Sequence, residues 1–232
     1  MSRRPRQPRS APAAARPGSP AGPGRTQLGI VAAIAVIAVA GVIAFASMQN
    51  ATPPPPVAPG IRVVGNVMGE PNAAVTIDEW ADLQCPACRA FALGTEPRLR
   101  TAYVATGTVR IVFRHLAFIG HESAWAAEAV ECAGEQNRFW DLHDRLYAMQ
   151  GGENTGIFSK PNLERIAGDL GLGSGFNACL ESDRYLQRVT DDTRAGQAKG
   201  VTATPTFFIN GRKVEGVLSF DQLRTILDPL VK

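Results

Sequence analysis

The sequence predicts an α/β domain with an inserted helical subdomain, preceded by one N-terminal transmembrane helix. Three observations carry that expectation. A strand, helix, strand pattern occupies residues 74–113; a long helical stretch then intervenes before β character returns at residue 206; and an apolar stretch without charge or proline fills residues 28–46. Strands alternating with helices indicate a mixed sheet with helices packed on it.

Residues 1–27 contain Arg3, Arg4, Arg6, Arg9, Arg16 and Arg25, no acidic residue, and much Pro, Ala, Gly and Ser. Such a composition cannot bury enough apolar surface to fold, so this part reads as a disordered basic cytoplasmic tail. The 19 residues that follow (LGIVAAIAVIAVAGVIAFA, 28–46) match the length of one helix across the hydrocarbon core. Arginines before the stretch and none close behind it place the tail in the cytoplasm and the remainder outside a bacterial-type cell membrane, by the positive-inside rule. The alternative is a cleaved signal peptide, with Ala44-Phe45-Ala46 as the small-x-small site; export follows from either. The Arg3-Arg4 pair lies too far from the apolar core for a twin-arginine signal. Residues 47–60 form a proline-rich linker with extended, semi-rigid geometry.

About 170 of the 232 residues remain for one folded domain, 61–232. The chain is formally +3, but six of its 24 basic residues lie in the tail, leaving 18 basic against 21 acidic residues. The exported part is therefore mildly acidic, with no basic stripe or aromatic-rich motif, which argues against a nucleic-acid partner.

Within that domain, residues 74–81 (AVTIDEWA) alternate apolar and polar positions and end just before Cys85, as a strand feeding a helix does. Residues 85–106 read as the helix, and 108–113 (TVRIVF), rich in β-branched side chains, as a second strand parallel to the first. A Cys-Pro-Ala-Cys at the top of such a unit is a thioredoxin-like signal. Residues 122–199 turn helical, with stripes at Trp125, Ala129, Cys132 and Ala133, at Phe139, Leu142, His143, Leu146 and Met149, and at Leu163, Ile166, Ala167 and Leu170. Gly151-Gly152 and the glycines of 171–175 punctuate them, giving an insertion of four or five helices over about 120–199. Residues 206–209 and 212–215 flank Asn210-Gly211, the sequence of a type I′ hairpin. Ser219 and Gln222 form a capping box for a last helix, 220–231.

Cys85 and Cys88 share a helix face within disulfide range. Cys85, at the helix start, faces unpaired amides and the positive dipole end, which stabilise a thiolate; Cys88, one turn in, suits a resolving thiol. A structural bridge and half a zinc site are the competing readings. Zinc usually takes four ligands, whereas Cys132 and Cys179 are isolated and His115, His121 and His143 show no paired spacing, so no metal site is expected. His143 lies on an apolar helix face and reads as a core residue, as do Trp125 and Trp140. Thr204-Pro205 precedes a strand, where proline is compatible with the ladder; by itself it carries no more than a generic X-Pro turn.

Residues 76–91 (TIDEWADLQCPACRAF), 124–150 (AWAAEAVECAGEQNRFWDLHDRLYAMQ) and 199–216 (KGVTATPTFFINGRKVEG) resemble the DsbA-like thioredoxin-fold family of exported or membrane-anchored thiol:disulfide oxidoreductases. The resemblance covers nearly all of 61–232. It implies a thioredoxin-like fold with a helical insertion, Cys85 as the attacked sulfur, Cys88 as its partner, and Pro205 as a cis-proline against the disulfide. It further implies that Thr204, with Pro205 and the dipeptide Pro86-Ala87, lines the substrate site, where Thr204 presents backbone groups to an extended segment. Glu79 matches a buried acid used in proton transfer to the resolving cysteine; Asp82 competes for that role, and an exposed strand carboxylate is the alternative for Glu79. No cofactor is expected beyond the redox-active disulfide.

One departure concerns Pro86-Ala87: strongly oxidising members carry histidine second, and the dipeptide tunes thiolate stability. The implied function is oxidation of cysteine pairs in reduced or unfolded exported proteins, with a quinone-linked membrane reoxidant of the DsbB or vitamin K epoxide reductase-like type. A reductase or isomerase using the same residues, and a non-enzymatic tethered module binding unfolded chains, are the alternatives. Cys132 and Cys179, left over in an exported chain, are expected to pair as a structural disulfide, with buried free thiols as the alternative.

Overall fold

The computed structural model describes residue 57 and residues 59–231. The basic tail, the apolar span or signal, and most of the proline-rich linker lie outside the described residues. The elements run β1 (Val63–Val64), β2 (Val67–Met68), β3 (Val75–Ala81), α1 (Pro86–Gly94), α2 (Glu96–Leu99), a wide turn over Arg100–Val104, β4 (Val109–His115), α3 (His121–Gly134), α4 (Phe139–Met149), α5 (Lys160–Asp169), α6 (Ser174–Glu181), α7 (Leu186–Ala198), β5 (Thr206–Ile209), β6 (Arg212–Glu215) and α8 (Phe220–Leu227). The sheet order is β1-β2-β4-β3-β5-β6. β3 and β4 pair in parallel from Val75↔Val109 to Ala81↔His115, and β5 pairs antiparallel to β3.

Alternation along β3 sends Val75, Ile77, Glu79 and Ala81 to one face and Asp78 and Trp80 to the other. The first face meets α1, α4 and α8 in the main core, where Phe91 and Phe207 lie 4.6 Å apart. On the second, Trp80 packs with Leu116 and Val201 beneath α7. α7 approaches this closely because Gly196 has no side chain: a Cβ there would sit 2.7 Å from Trp80 Cε3.

Three sequence expectations are adjusted. The helix expected over 85–106 breaks after Gly94, because Pro97 has no N–H to bond the carbonyl four residues back; the chain continues through α2 into a turn closed by Ala105 N donating to Arg100 O at 2.9 Å. The two-residue strands β1 and β2 were not expected, being too short for an alternation signal. The last helix ends at Leu227 rather than 231, just before Pro229. Elsewhere sequence and structure agree: five helices fill the insertion, Asn210 and Gly211 take the positive φ values of a type I′ turn, and Ser219 and Gln222 form the capping box.

Cys132 on α3 and Cys179 on α6 are joined in a disulfide, their Cα atoms 5.8 Å apart. The bridge closes a loop of 47 positions within the insertion. Replacing both with alanine is expected to lower stability by about 2–4 kcal/mol through the freed unfolded chain. A denaturant midpoint unchanged from the oxidised parent would show that α3 and α6 are held by packing alone.

Candidate active site

Cys85 is the N-cap of α1, in extended geometry (φ −72°, ψ 122°), with Pro86 supplying the first helical position. Its sulfur is half-buried, whereas Cys88 is fully buried; both thiols are free. Sγ of Cys85 donates to the Thr204 carbonyl at 3.5 Å, across 119 positions of sequence. The Thr204-Pro205 peptide is cis, and both residues are buried. Pro86 is exposed and Ala87 half-buried at the mouth.

The two thiols are made unequal by their surroundings. A hydrogen bond from Cys88 is the largest influence on Cys85; partial burial opposes it, and the Thr204 hydroxyl and the amides of Cys88 and Ala87 add to it, bringing the pKa down to about 6. Burial pushes Cys88 well above the usual thiol range, reinforced by donation to Cys85 and by the charge that forms there. A thiolate at neutral pH therefore sits on Cys85.

Glu79 points into the main core, 1% exposed, and neither carboxylate oxygen has a hydrogen-bond partner among the described residues. Its cross-strand neighbours are Phe113 and Phe207. Burial raises its pKa well above the carboxylate range, Glu96 adds to this, Arg100 opposes, and Asp144 adds again. Asp82 is also buried, but its oxygens are committed. Oδ1 accepts from Gln84 N at 2.8 Å and Ser123 Oγ at 2.7 Å, and Oδ2 accepts from Phe118 N at 3.0 Å. Asp82 thus ties the cysteine loop to the turn after β4, whereas the Glu79 oxygens are uncommitted.

Several residues of this region carry no signal in the sequence. Gln150 Nε2 donates to the carbonyls of Leu83 at 2.8 Å and Cys85 at 3.2 Å. Gln84 Nε2 donates to Ser123 Oγ at 2.9 Å and its Oε1 accepts from Asn154 N at 2.6 Å. The helical insertion thereby clamps the cysteine loop from the side. Deeper, Arg100 donates to Glu96 Oε1 through Nε and Nη2 (3.1 and 2.9 Å) and to Asp144 through Nη1 and Nη2 (2.6 and 2.7 Å). His143 Nδ1 lies 2.8 Å from Asp144 Oδ1, and His115 Nε2 lies 2.9 Å from Glu131 Oε1. Both histidines are buried, far from a ligand role, while His121 stacks on Trp125 and Trp140 is core. Only the (i, i+4) spacing of Glu96 and Arg100 was available as a clue.

A thioredoxin family model matches residues 62–229. The chain is 36% identical to the Na(+)/H(+) antiporter NhaA 3 of Salinispora tropica over 161 residues, which are 68% of this chain and 23% of that protein. It thus spans about a quarter of the length of that relative. It is 24% identical to disulfide bond formation protein D of Bacillus subtilis, covering 72% of this chain and 77% of the relative. The crystal structure of oxidised BdbD from Bacillus subtilis superimposes with a TM-score of 0.67 at 24% identity, covering 72% of this chain and 92% of that one, which shows the fold. A family match across the folded domain, on a site that pairs an acidic helix-capping cysteine with a buried one, means that the chain belongs to the thioredoxin family.

Proposed function

We propose that the chain is an extracytoplasmic oxidase that forms disulfides in exported proteins through Cys85 and Cys88. The observation that carries this reading is the inequality of the two thiols. In the oxidised protein a substrate thiolate attacks Cys85 Sγ, the more accessible sulfur. The Cys85–Cys88 bond breaks, its electron pair leaves on Cys88, and the buried Cys88 thiolate takes a proton, for which Glu79 is the donor. A second substrate thiolate then attacks the substrate sulfur of the mixed disulfide and expels Cys85 as a thiolate. The substrate loses two electrons and the Cys85–Cys88 pair gains them.

A thiolate stabilised at neutral pH leaves easily and favours the reduced form of the pair, which pulls the couple in the oxidising direction. Thr204 O, which accepts from the Cys85 thiol only in the reduced protein, can accept from the backbone of an extended substrate while Cys85 is in a disulfide. Turnover requires a reoxidant, for which a quinone-linked membrane protein of the DsbB or vitamin K epoxide reductase-like type is the proposed partner. The apolar stretch 28–46, read as a single-pass anchor, and the Cys132–Cys179 bridge support an oxidising location outside the cytoplasm. The name of the Bacillus relative, disulfide bond formation protein D, agrees with it.

The test is the reduction potential of the Cys85–Cys88 pair against glutathione. A value near about −120 mV is expected of an oxidase; one near about −270 mV would overturn the direction and assign a reductase. The pH dependence supplies an independent check. Because Cys85 is depressed to about 6, its contribution to the stability of the reduced protein is fully present above the ordinary thiol range. It is lost progressively as pH falls from about 9 to about 6, so the advantage of reduced over oxidised protein should shrink across that range and level off below it.

A further inference from the structure

Gln150 closes α4 as its C-cap, in extended geometry (φ −55°, ψ 121°), and donates its N–H to Tyr147 O at 3.4 Å. Gly151 and Gly152 follow, the second at a positive φ of 136° that side chains rarely adopt. The main chain turns out of the helix there, while the Gln150 side chain stays buried. Its carboxamide nitrogen carries two protons, and each has an acceptor: Leu83 O at 2.8 Å and Cys85 O at 3.2 Å. These two carbonyls bracket the torsions of Gln84 and Cys85, the last soft ones before Pro86, whose ring fixes the φ at which α1 begins. Other ties reach the same loop from the insertion. Tyr147 OH, one turn back along α4, donates to Asp82 O at 3.3 Å. Gln84 bridges Ser123 and Asn154. Tyr147 O in turn accepts from Arg89 Nε at 2.9 Å, which fastens α1 to the end of α4.

We propose that Gln150 is a positioning residue for disulfide exchange: by holding the carbonyls of Leu83 and Cys85 together, it aims the Cys85 sulfur at the open end of α1 and at Thr204. That sulfur has to meet two groups that arrive separately, the amides of the first helical turn and the Thr204 carbonyl, 3.5 Å away across 119 positions of sequence. Arg89 N also donates to Cys85 O, at 3.0 Å, but that bond is internal to α1 and moves with it. Gln150 adds a tie to α4, against which the Cys85 backbone is held still. Without the carboxamide the two carbonyls separate, the Cα–Cβ bond of Cys85 swings with the loop, and the thiolate loses part of its hydrogen bonding to the helix amides. The inference rests on Cys85 as the reacting sulfur and not on the direction of electron flow.

The experiment follows alkylation of the reduced full-length chain by iodoacetamide across the thiol titration, in wild type, Gln150→Met and Gln150→Asn. Methionine matches the side chain in length and has no donor. Asparagine keeps the carboxamide but is one methylene too short to span both carbonyls, and it carries the test if Gln150→Met does not fold. Wild type should titrate near pH 6. Both variants should titrate about one pH unit higher, so that near pH 6 their alkylation slows about fivefold while the alkaline plateau matches wild type. A Cys132→Ala/Cys179→Ala double variant, weakened away from the site, controls for lost stability and should keep the wild-type midpoint. Midpoints of Gln150→Met and Gln150→Asn equal to wild type, or an equal shift in the control, would refute the positioning role and leave Gln150 as a packing residue. A wild type that titrates at the ordinary thiol value of about 8.5 would instead overturn the acidity of Cys85 itself, and the proposal with it.

Discussion

Cys85→Ser is expected to reduce disulfide exchange at least about a thousandfold, because a serine hydroxyl forms no disulfide and is not ionised near neutral pH. Cys88→Ser should behave differently. Its Cys85 remains a nucleophile and should accumulate as a mixed disulfide with a thiol-bearing substrate or glutathione, since no second thiol is present to resolve it. The largest influence lowering the Cys85 pKa is the hydrogen bond from Cys88. A serine hydroxyl keeps a donor in that position, whereas Cys88→Ala removes it. The Cys85 thiolate, followed by its ultraviolet absorbance, should thus persist to lower pH in Cys88→Ser than in Cys88→Ala. Equal titration midpoints in the two variants would mean that the helix amides and Thr204, rather than the neighbouring thiol, make Cys85 acidic.

Arg100→Met is expected to cost about 3–5 kcal/mol of stability, because it leaves Glu96 and Asp144 buried with no guanidinium between them. Arg100 is 5% exposed and Glu96 0%, so water cannot take over as the partner. The loss should depend on pH. For Asp144, burial works against ionisation, but the hydrogen bond from His143 and the charge and hydrogen bonds of Arg100 outweigh it and hold the pKa below the usual carboxylate value. A depressed carboxylate contributes stability that is present above its unfolded pKa of about 4 and is lost as pH falls below it. The gap between wild type and Arg100→Met should therefore be widest near neutrality and narrow in acid. A urea midpoint that drops equally at pH 7 and pH 3 would assign the defect to lost packing against Trp140, over which the guanidinium lies at 5.2 Å, and not to charge.

Much of the site was legible because its parts are local signals. Cys85 and Cys88 announce themselves by spacing, the strand before them by alternation, and the hairpin after Pro205 by Asn210-Gly211. Glu79 was placed beside a competitor, Asp82, because both sit within a few residues of Cys85 and strand phase alone does not separate them. The structure separates them by partners: Asp82 accepts hydrogen bonds from Ser123 and the 118–119 amides, contacts made 36 to 41 positions away, while Glu79 finds Phe113 and Phe207. Pro97 breaks the helix within 85–106 by removing one backbone donor, a local effect that leaves apolar residues such as Phe91, Leu99 and Tyr103 buried on both sides of the break.

The sequence by itself determined where the chain turns from strand to helix, that two thiols lie one helical turn apart at a helix start, and that Thr204-Pro205 opens the returning strand, because backbone propensity and periodicity are properties of neighbouring residues. The helix-start position already marked Cys85 as the more acidic thiol; only the tertiary structure decided the hydrogen bonds and burial that set the two thiols apart, and which acid stands without polar partners. Those outcomes depend on burial and on charges brought together from afar, Thr204 across 119 positions to Cys85 and Asp144 across 44 to Arg100. The free energy of a charge is set by the dielectric and the partners that folding assembles around it, and no local pattern encodes either.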